Sequence, residues 1–141
     1  MVVESNSLNS EHMNPLIVDL NNFILEDKDL DNRGKVKNIE KLVSNLKKSG
    51  YNEIILIASS KLKYRIDNKK EYKKMVKKYD IKESPAMVDT DWFILDLAKK
   101  LDCDILTNDR FKEYWDEFGR KWIMNIRRTF MIVNELISIK L

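Results

Sequence analysis

The sequence predicts an α/β protein in which a central, mostly parallel β-sheet lies between two layers of helices. Short apolar runs typical of buried strands alternate along the chain with segments whose apolar residues recur at helical spacing. This alternation favours parallel strands joined by helical crossovers. The length of 141 residues suits one domain with an ordinary core. We expect residues 1–13, which are polar and lack a pattern, to form a flexible lead-in, and residues 14–141 to form the domain.

The individual elements follow from the same patterns. Apolar runs predict strands at residues 16–20, 53–58, 86–88, 105–107, 129–133 and 136–139. Helical spacing predicts helices at residues 35–48, 72–79, 91–98 and 109–119, with one or two further turns at 122–128. Gly50 is expected to end the first helix, because glycine readily adopts the left-handed conformation of a helix C-terminus. Residues 26–34, between the first strand and the first helix, are expected to be a polar loop.

Composition narrows the class of protein. A hydrophobic content of 43% and a charged content of 35% are typical of a globular protein with a heavily charged surface. The single cysteine, Cys103, excludes an intrachain disulfide framework and a cysteine-rich zinc site, and it fits an intracellular protein. No long apolar run indicates a membrane span, so we expect a cytoplasmic location and no membrane partner. The turns between strands and helices lack a glycine-rich phosphate loop, so no nucleotide cofactor is expected.

Carboxylates follow the predicted strands or lie near the start of the predicted helices: Asp19, Asp91, Asp109 and Glu113. Asp89 is a further candidate. Because parallel strands end at one edge of a sheet, we expect these acids to converge there. Asp109 and Glu113 are spaced i, i+4, which predicts that both project from one helix face. Two unit charges ~4 Å apart repel by roughly 4 kcal/mol at an effective dielectric of ~20, so such a cluster favours a bound cation. Oxygen ligands suit Mg²⁺ or Mn²⁺, although Asp91 alone would be explained equally well as a helix cap.

Three segments also carry a family resemblance. They are Asp-Leu-Asn-Asn at residues 19–22, Thr-Asp-Trp-Phe-Ile-Leu at residues 90–95, and Thr-Asn-Asp-Arg-Phe-Lys-Glu at residues 107–113. In the same order, they resemble the Asp-x-x-Asn, Asp-Asp-x-Tyr-Ile-Leu and Ser-Asn-Asp-x-Tyr-Arg-Asp motifs of the Zc3h12a-like (NYN/PIN-like) ribonucleases. The resemblance extends over residues 16–141. Thr90 and Glu113 stand where the family has aspartates, and Asp89 would replace the charge that Thr90 lacks.

The resemblance implies a Rossmann-like, PIN-type three-layer α/β/α sandwich. It also implies a metal-dependent endoribonuclease that hydrolyses single-stranded or structured RNA, with Mg²⁺ (or Mn²⁺) as its cofactor. The acids that would hold this metal are Asp19, Asp91, Asp109 and Glu113. Asn22 would orient Asp19 or a water of the metal, while Thr107 and Asn108 would support the pocket by hydrogen bonds. A homodimer is expected by analogy with PIN-like domains.

A nuclease of this kind needs cations that hold the RNA backbone. The net charge is only +3, but acids gathered around a metal would leave the remaining surface more basic. The residues first predicted to contact RNA follow the second strand: Lys61, Lys63 and Arg65. Tyr64 lies among them and could stack on a base. Arg127 and Arg128 are the second choice. The lysines of residues 69–78 are interpreted as a solvated helix face.

The sequence is compatible with two alternative functions. One is a toxin-type PIN ribonuclease that cleaves tRNA or rRNA and is held by an antitoxin, because it would use the same acids. The other is a catalytically silent RNA-binding module, although an acid at each of the four motif positions favours the enzyme. The sequence does not separate RNA from single-stranded DNA as substrate. The tryptophans fall at helical positions beside apolar residues and are expected to pack in the core: Trp92, Trp115 and Trp122.

Overall fold

The computed structural model of the chain describes residues 14–140, so the predicted lead-in at residues 1–13 lies outside the described residues. Its strands are β1 (Leu16–Asp19), β2 (Ile54–Ala58), β3 (Lys82–Glu83), β4 (Asp104–Leu106), β5 (Arg127–Val133) and β6 (Leu136–Lys140). Its α-helices are α1 (Leu20–Ile24), α2 (Lys37–Lys48), α3 (Lys69–Lys78), α4 (Thr90–Leu101) and α5 (Arg120–Ile126). Single turns of 3₁₀ helix cover Leu62–Tyr64 and Lys112–Tyr114, and a π-helix covers Trp115–Gly119.

The strands form one sheet in the order β3-β2-β1-β4-β5-β6. Every neighbouring pair from β3 to β5 is parallel, and β6 joins β5 as an antiparallel hairpin partner. Val18 of β1 lies opposite Leu56 on one side and Leu106 on the other. The carboxyl ends of these three central strands therefore meet at the same edge of the sheet, where open α/β folds bind ligands.

The two faces of the sheet are covered by different helices. Leu16 and Val18 face a core that includes Leu42 of α2 and Tyr72 of α3. Ile17 points to the opposite face, as alternation along a strand requires, and joins the core of α4 and α5. The predicted three-layer α/β/α arrangement with a mostly parallel sheet is confirmed. No helix within residues 14–140 is long and apolar enough to cross a membrane.

A close backbone approach holds the segment after β2 against the loop after α1. The amide of Gly34 donates to the carbonyl of Arg65 over 2.9 Å, and Gly34 forms a β-bridge with Ile66. A Cβ atom on residue 34 would lie 2.3 Å from Cγ2 of Ile24 and 2.9 Å from the Ile24 carbonyl oxygen. Only glycine fits this contact, which fixes Arg65 beside the carboxyl end of β1.

The structure corrects the expected strand at residues 86–88. The edge strand is instead Lys82–Glu83, which pairs with Ile57 and Ala58 of β2. Residues 86–87 form a turn, and Met87 has a φ of 69°, which no β-strand residue adopts. The apolar run was misleading because Met87 and Val88 are exposed on a loop.

The helix expected over residues 109–119 is also wrong. Phe111 has a φ of 54° and a fully buried ring, so the chain turns sharply before the 3₁₀ turn begins. The π-helix and Gly119, with a φ of 96°, then separate that turn from α5. Asp109 and Glu113 do not share a helix, so the prediction that both project from one helix face is wrong. Near the start of the chain, α1 begins directly after β1, where no helix was expected.

Candidate active site

Three carboxylates meet at the carboxyl edge of the sheet. Asp19 ends β1, Asp91 lies in the first turn of α4, and Asp109 lies in the loop after β4. One carboxylate oxygen from each lies within 4.8 Å of the other two. Asp19 is 3% exposed, and the other two are half-buried. The cluster offers only oxygen donors, the ligand type that Mg²⁺ and Mn²⁺ prefer.

Asp19 is the most deeply placed of the three. Its Oδ2 accepts a hydrogen bond from the Thr107 hydroxyl over 2.8 Å, and its Oδ1 accepts from the Asn22 amide over 3.4 Å. The pKa of Asp19 is raised from 3.8 to about 6, mainly by burial and to a smaller extent by the charge of Asp109, while the two hydrogen bonds oppose the rise. A buried carboxylate with a raised pKa gains most from a neighbouring cation.

Asp91 is the acid most affected by its neighbours. Its pKa is raised from 3.8 to about 7, first by burial and then by the charges of Asp19, Asp109, Asp89 and Glu113. Its own side chain makes no hydrogen bond or ion pair within residues 14–140. Asp89 supplies the N-cap of α4 by accepting from the Asp91 amide over 3.3 Å. The capping explanation therefore applies to Asp89, and Asp91 is left to face the other acids.

The loop after β4 holds Asp109 by its backbone as well as by its side chain. The Asp109 amide donates to the Thr107 hydroxyl oxygen over 3.0 Å, and Oδ1 of Asp109 accepts from the Phe111 amide over 2.9 Å. Thr107 is fully buried and thus links Asp19 to the backbone of Asp109 through one hydroxyl group. The left-handed backbone of Phe111, locked by its buried ring, completes this turn.

Two asparagines connect the strand ends. The Asn22 side-chain oxygen accepts from the Asn108 amide over 2.8 Å. The Asn108 side chain donates to the Phe130 carbonyl over 3.0 Å and accepts from the Phe130 amide over 3.1 Å. Asn22 reaches Asp19 with its backbone amide and uses its side chain for the β4 loop. Asn108 joins the β4 loop to β5 in this way, and Asn22 also lines the pocket formed with Asp19, Asp91 and Asp109.

Three further acids lie near the three aspartates. Glu113 is exposed on the 3₁₀ turn and is not one of the three residues whose carboxylate oxygens lie together, although its charge contributes to the raised pKa of Asp91. The Tyr114 hydroxyl donates to Asp89, which ties this turn to the start of α4. Glu26, which sequence reasoning missed, lies after α1 and lines the pocket that contains Asp19, Asp91 and Asp109.

The cations predicted to contact RNA are distributed unevenly around the pocket. Arg65 lines it together with the three aspartates, and Lys61 lines the adjoining cleft between β2 and the start of α4. Lys63 lies over the ring of Tyr64, 5.5 Å from its centroid, and Lys69 lies over the same ring at 4.6 Å. Tyr64 itself is 62% exposed. This segment combines cations with an accessible aromatic ring.

Arg127 and Arg128 are held within the protein instead. Arg127 donates to the carbonyl of Asn108 over 3.2 Å, and burial lowers its pKa. Arg128 forms an ion pair with Asp104 at 3.0 Å and donates to the carbonyl of Asn125 over 3.0 Å. Both guanidinium groups face acceptors of the chain itself, and Arg127 steadies the loop that carries Asp109.

A paired contact between α1 and the residue that follows β2 was also missed by sequence reasoning. The Asn21 side chain donates to the Ser59 hydroxyl over 2.8 Å and accepts from the Ser59 amide over 3.0 Å. It fixes the start of the segment that leads to Lys61 and Arg65. The position of Asn21 two residues after the buried Asp19, with Ser59 directly after β2, was the available signal.

Trp92, Trp115 and Trp122 are all half-buried. Trp115 and Trp122 pack against the core between the sheet and helices α4 and α5, as expected. Trp92 is held differently, because its indole N–H donates to Glu117 over 2.8 Å and its ring lies 6.3 Å from that of Phe118. Trp115 and Trp122 therefore border the core, whereas Trp92 contacts Glu117 and Phe118 and does not pack in the core as expected.

Comparison with known proteins agrees with this geometry. Residues 12–138 match the family model described as the Zc3h12a-like Ribonuclease NYN domain. Two solved structures of the nuclear protein-only RNase P 2 (PRORP2) of Arabidopsis thaliana share the fold. They are 20% and 18% identical, with TM-scores of 0.70 and 0.68, over 89% and 91% of this chain. The chain spans 29% of the length of each, and no curated protein matches it. By its match over residues 12–138, the chain belongs to the Zc3h12a-like ribonuclease NYN domain family.

Proposed function

We propose that this chain is a metal-dependent endoribonuclease that hydrolyses phosphodiester bonds within RNA, using Mg²⁺ or Mn²⁺. The observation that carries the proposal is the convergence of Asp19, Asp91 and Asp109 within 4.8 Å at the carboxyl edge of the sheet. Membership of a ribonuclease family supports the substrate class. The donor set fits a hard divalent cation, which keeps several waters and completes its shell with substrate phosphate.

The three aspartates would hold the cation, and Glu113, whose charge acts on Asp91, would add negative charge to the site. When bound, the cation would supply positive charge that stabilises the negative charge building up on the phosphoryl group. The chain's own residues prepare the site. Thr107 holds Asp19 and the Asp109 backbone in one arrangement through two hydrogen bonds. Because Thr107 is fully buried, these bonds are not exchanged for bonds to water.

The substrate would enter from the side of β2. Arg65 lines the pocket together with the acids, which supports a role for its guanidinium in binding a phosphate next to the cleaved bond. Tyr64 offers an exposed ring on which a base can stack, with Lys63 and Lys69 beside it. For Arg127 we propose a supporting role, since its guanidinium is bound to the Asn108 carbonyl.

A circular single-stranded RNA tests this function, because only an endonuclease can open it. We expect linear products with Mn²⁺ or Mg²⁺ and none with EDTA. A circle that stays intact while a linear RNA of the same sequence is degraded would contradict endonucleolytic cleavage. If both RNAs are bound but neither is cut in any metal, the chain is an RNA-binding module and the enzymatic proposal fails.

A further inference from the structure

An arginine–tryptophan cluster that does not line the acid pocket extends from the loop after Asp109, through the π-helix, to the start of α5. The guanidinium of Arg120 lies over the ring of Trp115 at 4.5 Å from the centroid, and that of Arg110 lies at 5.9 Å. Both arginines are exposed. A guanidinium stacked on an indole keeps its plane fixed while its N–H groups remain available.

Neither arginine is neutralised within the part of the chain that the structure describes. Over residues 14–140, the side chains of Arg110 and Arg120 form no hydrogen bond and no ion pair. Glu117 is an exposed acid close to both arginines in sequence, but it accepts a hydrogen bond from the indole N–H of Trp92 and does not pair with either arginine. Arg127 and Arg128, by contrast, bind acceptors of the protein. The two stacked arginines thus present unused cationic donors.

The cluster is held in place from both ends. The Trp115 indole N–H donates to the carbonyl of Arg110 over 2.9 Å, which joins the two sides of the turn. The buried ring of Phe111 anchors the chain between them. Trp115 begins a π-helix, a conformation that often marks functional positions. These contacts hold the Trp115 ring and the Arg110 backbone, and both exposed guanidinium groups lie over that ring.

The strand order places this cluster opposite the predicted RNA-binding segment. Strand β1, which ends at Asp19, lies between β2 and β4 in the sheet. The chain after β2 leads to Arg65, and the chain after β4 leads to Arg110, directly beyond Asp109. The acids therefore lie between two cationic segments, both with an aromatic ring as support.

We propose that Arg110 and Arg120, supported by Trp115, bind backbone phosphates of the RNA strand on the β4 side of the acid pocket. The strand crosses the carboxyl edge of the sheet, from the segment around Arg65 to this cluster. This inference rests on the proposed function, since it assigns the path of the same substrate. It adds a second phosphate-binding surface to the one expected after β2.

The test is binding of a fluorescein-labelled single-stranded RNA of about 12 nucleotides, within the usual span of single-strand sites, over a series of salt concentrations. EDTA is added to remove the metal that the proposed cleavage requires. The double variant Arg110→Gln/Arg120→Gln should bind about tenfold more weakly than wild type. Each lost phosphate contact lowers the slope of log K against log salt by about 0.7 for a single strand, so the double variant should lose about 1.4. Lys73→Gln/Lys77→Gln removes two exposed charges from α3 and is the matched control.

The control should keep the wild-type affinity and slope. An unchanged slope in a folded arginine variant, or an equal loss in the control, would overturn the inference. If wild type cuts RNA and the arginine variant binds normally, only this inference fails and the proposed function stands. If wild type neither binds nor cuts RNA, the proposed function fails together with it. Circular dichroism of each variant separates loss of binding from loss of fold.

Discussion

Replacing Asp91 by asparagine should make the metal-free protein more stable at alkaline pH. Asp91 is a half-buried acid whose pKa rises from 3.8 to about 7 through burial and the charges of neighbouring acids. An acid with a raised pKa in the folded state weakens folding as pH rises, because the unfolded chain loses its proton first. The penalty is absent below about pH 4, grows between about pH 4 and pH 7, and is complete above pH 7. Asparagine has the same shape and carries no charge.

The size of the effect follows from that shift. A rise from 3.8 to about 7 corresponds to ~4 kcal/mol at ~1.4 kcal/mol per pKa unit. Asp91 is only half-buried, so solvent screening reduces this to ~2 kcal/mol. The charge also stabilises the first turn of α4 by ~0.5 kcal/mol, which asparagine loses. The net gain of ~1.5 kcal/mol should raise the melting temperature by roughly 3–6 °C for a chain of this length.

The assay is thermal unfolding followed by circular dichroism in EDTA at pH 4 and pH 8. Asp96→Asn is the matched control, because Asp96 lies on the same helix and pairs with Lys100 at 2.8 Å, away from the cluster. It should lose no more than ~0.5 kcal/mol. A lower melting temperature for Asp91→Asn than for wild type at pH 8, or an equal gain at pH 4, would refute the electrostatic account of the pocket.

Three further outcomes are expected. Adding Mn²⁺ at about 100 times its Kd should stabilise wild type by ~2.7 kcal/mol at pH 8. The gain should be much smaller at pH 5, because protons compete with the metal for Asp19 and Asp91. Equal shifts of the melting temperature at both pH values would argue against carboxylate ligands. Thr107→Val should cost ~1–3 kcal/mol in urea unfolding because a buried acceptor loses its donor. The same substitution should raise the pKa of Asp19, since the Thr107 hydrogen bond lowers it, and should therefore move the acidic limb of the pH profile of cleavage to higher pH. An unmoved limb would contradict an effect of Thr107 on the pKa of Asp19. Gly34→Ala should destabilise the fold by ~1–3 kcal/mol because its Cβ would lie 2.3 Å from Ile24, and unchanged urea unfolding would show that this contact relaxes freely.

The sequence was sufficient for the layers of the fold and for the region where the acids meet. Buried strands are short apolar runs, and parallel strands bring their carboxyl ends together whatever lies between them. Asp19 was recognisable because a carboxylate directly after the run Leu16-Ile17-Val18 needs a compensating partner. Its partner, Thr107, became evident only from the register that sets β4 beside β1.

Local periodicity misled where tertiary contacts decide the backbone. Asp109 and Glu113 have helical spacing, but burial of Phe111 forces a left-handed turn between them. Arg127 and Arg128 look like a basic surface in sequence, whereas one is bound to a carbonyl of the β4 loop and the other to Asp104. Such partners are distant in the chain, so no pattern of neighbouring residues reveals them.

The central claim is that Asp19, Asp91 and Asp109 form the metal site of an RNA-cleaving enzyme. The most direct measurement is cleavage of a labelled single-stranded RNA, and of the DNA of the same sequence, by wild type, Asp109→Asn and Asp96→Asn in Mn²⁺, Mg²⁺ and EDTA. The introduced asparagine keeps a side-chain oxygen that can accept from the Phe111 amide, so Asp109→Asn removes charge with little change of shape. Replacing a residue that supports a metal ligand typically lowers metal affinity or activity by about 10–100-fold. Loss of a ligand itself should therefore lower RNA cleavage by at least about 100-fold. Asp96→Asn should cut like wild type. Metal-independent cleavage, or undiminished cleavage by a folded Asp109→Asn protein, would contradict the account.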